Sequence, residues 1–189
     1  MSRRGLTPSQ TVGPFLSIGL TWPDGADAVT PSTPGAFWVR GQLFDGTGAP
    51  VPDGLIETWQ ADPSGHFHHP DDPVGSHVDP PAGFRGFGRC ATDADGRWAI
   101  CVLKPGQVPA SNGALQAPHL DVSVFARGLL DRVVTRIYFG DEIEANAADP
   151  VLRSVPEHRR GTLVADMTDD GYTFDIRLQG ERETVFFDL

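Results

Sequence analysis

Short segments of alternating or β-branched residues recur along most of the chain and are separated by turn residues. Such segments predict β-strands, because successive side chains of a strand point to opposite faces of its sheet. Nine strands are predicted, at residues 37–44, 55–60, 87–92, 98–103, 120–126, 133–139, 162–166, 172–178 and 184–187. Nine short strands in a chain of 189 residues favour an all-β fold, and specifically a β-sandwich.

Turn and cap residues divide these strands. Asp-Gly pairs, which tolerate the positive φ of tight reversals, stand at 45–46, 95–96 and 170–171. One helix is predicted from Asp141 to Ala148, with Asp141 as its N-cap and Glu144 closing a capping box before Asp149-Pro150 ends it. Two turn-rich segments, 61–86 and 104–118, are long for a β-domain and are therefore predicted to be functional or contact surfaces.

The first 36 residues differ from the rest of the chain, because they show no sustained periodicity and are interrupted by five prolines. We predict an extended N-terminal arm over residues 1–36, either disordered or bound to another surface. Residues 37–189 are predicted to form a single β-sandwich domain.

Composition and charge exclude several classes of protein. The chain has 25 acidic and 15 basic residues and a formal net charge of −10, which argues against a nucleic-acid partner. No segment is long and apolar enough to span a membrane, and residues 1–10 lack the apolar core of a secretion signal. Cys90 and Cys101 lie in neighbouring predicted strands and suit buried thiols in a reducing compartment, so a cytoplasmic protein is expected.

The densest group of potential metal ligands lies at residues 66–77, where four histidines and two aspartates occur together. His66, His68 and Asp72 are suited in principle to a two-histidine, one-carboxylate iron site, which would make the chain a self-sufficient mononuclear metalloenzyme. A solvated polar loop between Gly65 and the nearby prolines explains the same residues equally well. Both interpretations remain open from the sequence.

Arg127 is a second candidate, because it follows an apolar strand and directly precedes Gly128. A guanidinium at a strand end can form a forked pair with a carboxylate of a ligand. The alternative is an ordinary surface salt bridge with one of the many acidic residues.

Motifs over nearly the whole chain resemble those of the intradiol ring-cleaving dioxygenases. They are Thr7-Pro-Ser-Gln-Thr-Val-Gly-Pro14, Ile56-Glu-Thr-Trp-Gln-Ala61 followed by Gly65, Phe87-Gly-Arg89 with Thr92-Asp93, Leu103-Lys-Pro-Gly106, Ala117-Pro-His119, Phe125-Ala-Arg-Gly128 and Thr135-Arg-Ile-Tyr-Phe139. The opening arm, residues 125–128 and the ending 174–188 are similar to the alpha-type chain of the family members that have two kinds of chain.

The resemblance implies a β-sandwich enzyme in which a beta subunit holds a non-haem ferric ion and opens protocatechuate to 3-carboxy-cis,cis-muconate. Catalytic chains of the family hold the iron with two tyrosines and two histidines, and the matching positions here are Phe67, Val108, His119 and Asp121. Ferric iron prefers anionic oxygen ligands, and neither Phe67 nor Val108 has a donor atom. The resemblance therefore implies that Fe(III) belongs to the beta subunit, that this chain binds no metal, and that it is inactive alone.

The resemblance also implies a role for the alpha-type chain beside its partner's active site. The matching positions are Thr11, Gly13, Pro14 and Arg127. An arginine attracts the carboxylate of protocatechuate, and a glycine lets the backbone approach closely because it has no Cβ. The implied assembly is a hetero-oligomer of alpha-beta units. The fold class alone also allows a β-sandwich binding module without an enzymatic role.

Overall fold

The computed structural model describes residues 13, 16–70, 72, 79–110 and 113–188. Within these ranges the strands are β1 (Phe37–Phe44), β2 (Leu55–Trp59), β3 (Phe87–Ala91), β4 (Arg97–Val102), β5 (Val108–Pro109), β6 (Leu115–Gln116), β7 (His119–Phe125), β8 (Val133–Phe139), β9 (Val164–Thr168), β10 (Gly171–Thr173) and β11 (Ile176–Arg177). The helices are short: α1 (Leu16–Gly19), α2 (Ile143–Ala148), α3 (Pro150–Ser154), α4 (Glu157–Arg160) and a 3-10 turn at Gly161–Leu163.

Nine of these strands form one large sheet that wraps around a core, and β5 and β6 form a separate two-stranded sheet. The order of the large sheet is β11-β1-β10-β9-β8-β7-β2-β3, and β4 pairs with β1 outside this path. β3 and β4, which are not paired, pack closely, since a Cβ added at Gly88 would stand 2.7 Å from Cγ2 of Ile100. The ends of the sheet thus meet across the core, and the predicted all-β sandwich is confirmed.

β7 shows how the alternating pattern positions the candidate site. Leu120, Val122 and Val124 are almost fully buried in the main core, and each such side chain stabilises the fold by about 1.5–3 kcal/mol. Asp121 and Ser123 point to the opposite face and are partly exposed. The outer face of β2, β7 and β8 therefore carries the polar candidate residues.

Two predicted strands differ from the structure by more than a shift of one or two residues at their ends. The prediction at 172–178 is split into β10 and β11, because the Asp175 carboxylate accepts the hydrogen bond of the Gln42 backbone N–H between them. The prediction at 184–187 is wrong, since Phe187 makes only an isolated bridge with Val134. Backbone N–H groups of this segment donate instead to Arg177 O, the Thr162 hydroxyl and Val134 O, which belong to three different elements.

The helix predicted from Asp141 to Ala148 is present as α2, but Asp141 is not its N-cap. α2 begins at Ile143, and its N-cap, Glu142, makes no side-chain capping bond. The Asp141 carboxylate instead accepts hydrogen bonds from Lys104 Nζ and the Tyr172 hydroxyl at 2.7–2.8 Å. Asp149-Pro150, predicted to end the helix, also begins α3, because the Asp149 carboxylate accepts from Leu152 N.

Part of the predicted arm packs onto the domain. Ala28 and Val29 are fully buried, and bridges join Asp27 to Cys101 and Val29 to Phe84. The boundary at residue 36 remains a prediction. No helix in the described part of the chain is long and apolar enough to cross a membrane.

Candidate functional site

Two of the four positions that match iron ligands carry hydrocarbon side chains in apolar contacts. The Phe67 ring stacks on Trp59, with 6.2 Å between centroids and 7° between planes. Val108 is buried in the small hairpin in which β5 pairs with β6. Neither residue offers a metal donor, and the stacked ring stabilises the loop that follows β2.

His119, the third position, begins β7 and is 5% exposed. Its Nδ1 lies 2.7 Å from the carbonyl oxygen of Ala117. A carbonyl only accepts, so Nδ1 carries the proton and Nε2 carries the lone pair. Burial, together with the positive charge of Arg136, lowers the pKa of His119, so the imidazole is neutral at physiological pH.

Asp121, the fourth position, already has a cation beside it. The pairing of β7 with β8 places Asp121 directly opposite Arg136. Arg136 Nε donates to Asp121 Oδ1 at 2.9 Å, and Nη1 donates to Gln116 Oε1 at 2.7 Å. Burial opposes the charge on Arg136, but the neighbouring Asp121 prevails and raises the pKa of the guanidinium. Asp121 is therefore a half-buried ion-pair partner of Arg136.

The polar network continues behind this ion pair to Asp149. The Tyr138 hydroxyl donates to Asp149 Oδ1 at 3.1 Å, and Asp149 Oδ2 accepts from Ala117 N at 2.7 Å. Burial raises the pKa of Tyr138 well above its ordinary value, so the phenol keeps its proton. Sequence reasoning missed Arg136, Tyr138 and Asp149 as a group, although the outward alternation of β7 and β8 could have paired Asp121 with Arg136.

The residues at these four positions do not fit a ferric ion. They offer one imidazole lone pair, on His119, and one carboxylate, on Asp121, which Arg136 neutralises. Phenolate oxygens, the donors that a hard trivalent ion requires, are absent from all four. Across the residues that the structure describes, no group of three or more His, Cys, Asp or Glu side chains is arranged to hold a metal.

The histidine-rich loop does not assemble the predicted iron site either. His68 Nε2 lies 2.7 Å from Asp62 Oδ2, whereas His66 Nδ1 lies 3.6 Å from Asp72 Oδ2. Each imidazole therefore faces a different carboxylate, and the prediction of a site formed by His66, His68 and Asp72 is wrong. Asp62, which sequence reasoning missed, also accepts from the backbone N–H groups of Ser64 and His66. These contacts close the loop rather than open a coordination site.

Arg127 lies at the opposite end of β7 from His119. Its side chain is 77% exposed, and its Nε lies 2.5 Å from Asp53 Oδ2. β7 ends at Phe125, and Arg127 lies in the turn that follows. The four residues from Asp121 to the end of the strand already span about 13 Å, at about 3.3 Å per residue. Arg127 and the degenerate ligand positions therefore do not form one site within this chain.

The N-terminal candidates are only partly described. Gly13 is exposed, and a Cβ added there would meet nothing within 4 Å. Among the residues that the structure describes, none requires glycine at that position. Thr11 and Pro14 lie outside the described residues.

Comparisons with known proteins agree with these motifs. The family model described as Dioxygenase matches residues 26–180. The protein named protocatechuate 3,4-dioxygenase alpha chain, from Burkholderia cepacia, is 42% identical over 97% of both chains. The protein named protocatechuate 3,4-dioxygenase beta chain, from the same organism, is 38% identical over 77% of this chain and 65% of its own length.

A solved structure gives the same result. The dioxygenase domain of a dioxygenase and carbohydrate-binding fusion from Streptomyces sp. SirexAA-E has a TM-score of 0.57 and 26% identity, covering 92% of this chain and 98% of that one. The fold and the motifs thus define a dioxygenase chain. More narrowly, the chain belongs to the intradiol ring-cleaving dioxygenases, as the sequence motifs indicated. That family depends in general on ferric iron.

Proposed function

We propose that this chain is the non-catalytic alpha subunit of a protocatechuate 3,4-dioxygenase. A beta subunit would hold the Fe(III) and open protocatechuate to 3-carboxy-cis,cis-muconate, in the catabolism of aromatic compounds. The observation that carries the proposal is the state of the four ligand positions: two have no donor atom, and Asp121 is paired with Arg136. The 42% identity to a protein named as an alpha chain supports the same assignment.

Such a chain would complete the substrate pocket of its beta partner and would contribute to the assembly of the hetero-oligomer. Arg127, with most of its surface exposed, would attract and orient the substrate carboxylate without making or breaking bonds. Thr11, Gly13 and Pro14 would border the same pocket from the N-terminal arm. No described side chain or backbone atom lies within 4 Å of a Cβ added at Gly13, which supports close approach by another chain.

The domain boundary and the location belong to the same proposal. An arm over residues 1–36 and a sandwich over 37–189 are supported by the position of β1 to β11, all of which lie after residue 36. A cytoplasmic location is supported by Cys90 and Cys101, which are both free thiols.

Purification of the chain alone, and of the chain co-expressed with its proposed beta partner, tests the function. The lone chain is expected to be colourless, to lack stoichiometric iron and to leave protocatechuate intact, because its ligand positions cannot hold the ion. The co-expressed pair is expected to form a coloured, active ferric hetero-oligomer. Beta chain prepared alone is the control for metal loading. A lone alpha chain that binds iron and cleaves the ring would refute the proposal.

A further inference from the structure

The partner that Arg127 has within this chain follows from strand pairing. Leu55 of β2 stands opposite Phe125 of β7 in an antiparallel ladder. Two residues further out, Asp53 and Arg127 therefore face one another just beyond the ends of their strands. The turn that presents Arg127 is closed by the hydrogen bond from Leu129 N to Ala126 O.

The ion pair uses one side of the guanidinium. The Asp53 carboxylate, 32% exposed, lies against Nε of an arginine whose side chain is mostly in solvent. A carboxylate that binds arginine side-on needs Nε together with one terminal nitrogen. Because the Asp53 carboxylate occupies Nε, a second carboxylate cannot bind Arg127 side-on through Nε and a terminal nitrogen. Exposed ion pairs are weak and are readily exchanged for another partner.

We propose that Asp53 is a specificity-determining residue that competes with the substrate carboxylate for Arg127. This inference rests on the proposed function of Arg127 at the partner's pocket. Asp53 neutralises the guanidinium when no substrate is bound, in a chain whose formal net charge is already −10. Removal of the Asp53 charge would leave a free cation for an anionic substrate and would open the side-on fork.

The test uses the alpha-beta holoenzyme with Asp53→Asn, which keeps the shape of the side chain and removes its charge. Initial rates are measured on protocatechuate and on catechol, which has no carboxylate. The expected result is a rise of about 2- to 5-fold in kcat/KM for protocatechuate through a lower KM, the size of one exposed ion pair. The value for catechol is expected to stay unchanged. Asp53→Ala, which also removes the charge, is expected to give the same ratio if the asparagine variant assembles poorly.

A matched control is Asp170→Asn, which removes one carboxylate from the exposed Arg40–Asp170 pair, 2.9 Å apart, at another turn. It is expected to leave the ratio of the two substrates unchanged. A purely structural effect of the Asp53 substitutions would lower the rates on both substrates together and would refute the inference.

Arg127→Ala separates this inference from the proposed function on which it rests. If Arg127→Ala lowers the preference for protocatechuate while Asp53→Asn leaves it unchanged or lowers it, the competition by Asp53 is refuted and the role of Arg127 stands. If Arg127→Ala leaves the preference unchanged, the role of Arg127 is refuted and the inference with it. If both proposals hold, Asp53→Asn has no effect on the preference in an Arg127→Ala background.

Discussion

Removal of the Arg136 guanidinium should show whether it holds the degenerate ligand positions together. Arg136 is only 19% exposed and donates to Asp121 and Gln116 at 2.9 and 2.7 Å. In Arg136→Met the methionine fills part of the volume but leaves the Asp121 carboxylate unpaired. Loss of one partner of a buried ion pair costs about 3–5 kcal/mol, but Asp121 is 35% exposed and water can solvate it. We therefore expect the free energy of unfolding to fall by about 2–3 kcal/mol.

A double-mutant cycle isolates the pair from the other effects of each substitution. The variants are Arg136→Met, Asp121→Asn and the double variant, unfolded in urea and followed by the tryptophan fluorescence of the purified chain. Trp59, the strand neighbour of Asp121, lies beside the site and reports on it. We expect a coupling free energy of about 1–2 kcal/mol, as for residues that share a polar network. The urea midpoints should move without a change in slope.

Arg40→Met provides the control, because Arg40 is also a strand arginine paired with an aspartate but is 44% exposed. Its expected cost is below about 1 kcal/mol. If Arg136→Met is as harmless as Arg40→Met, or if the coupling free energy is zero within error, the guanidinium does not hold this site.

Two further predictions concern acid stability and thiol reactivity. Asp62→Asn should destabilise the chain by about 1–2 kcal/mol at neutral pH. Burial opposes the charge of Asp62, but hydrogen bonds from His66 N and His68 prevail and lower its pKa below the ordinary 3.8. Its contribution is therefore present above that value and is lost as pH falls through the lower, folded-state pKa. Urea titrations from neutral to acid pH should show wild type and variant converging, and a gap that persists in acid would contradict this. Burial is the main cause that raises the pKa of Cys101 to about 11, and the negative charge of Asp27 is the second cause. At pH near 8, alkylation of Cys101 measured by mass spectrometry should be roughly a hundredfold slower in the native chain than in urea, and rapid native alkylation would contradict the burial of this thiol.

The strands whose alternation is strong could be predicted from the sequence almost to the residue. β1 and β8 begin and end where the pattern predicts, because each has one face in the core. The segment 184–187 has a similar pattern, but its backbone groups bond to several elements, which no local pattern can indicate. Asp141 resembles a helix cap in sequence, but Lys104 and Tyr172 come from distant segments and take its carboxylate.

The candidate site divides in the same way. The loss of the two tyrosine ligands, at Phe67 and Val108, could be predicted from the motifs, because it depends only on which residue type occupies each ligand position. The pairing of His68 with Asp62 rather than with Asp72 depends on the backbone of the loop, including a positive φ of 51° at His68. The sequence therefore indicated which kinds of side chain the histidine-rich loop contains, but the fold determines which carboxylate each histidine contacts.

The Arg136–Asp121 pair has a consequence for how such a chain is produced in the cell. A guanidinium is part of the polypeptide, so its positive charge arrives with synthesis and cannot be withheld by nutrient shortage or stripped by a chelator. On the function proposed above, this chain would fold without iron, whereas the maturation of its beta partner would depend on the delivery of iron.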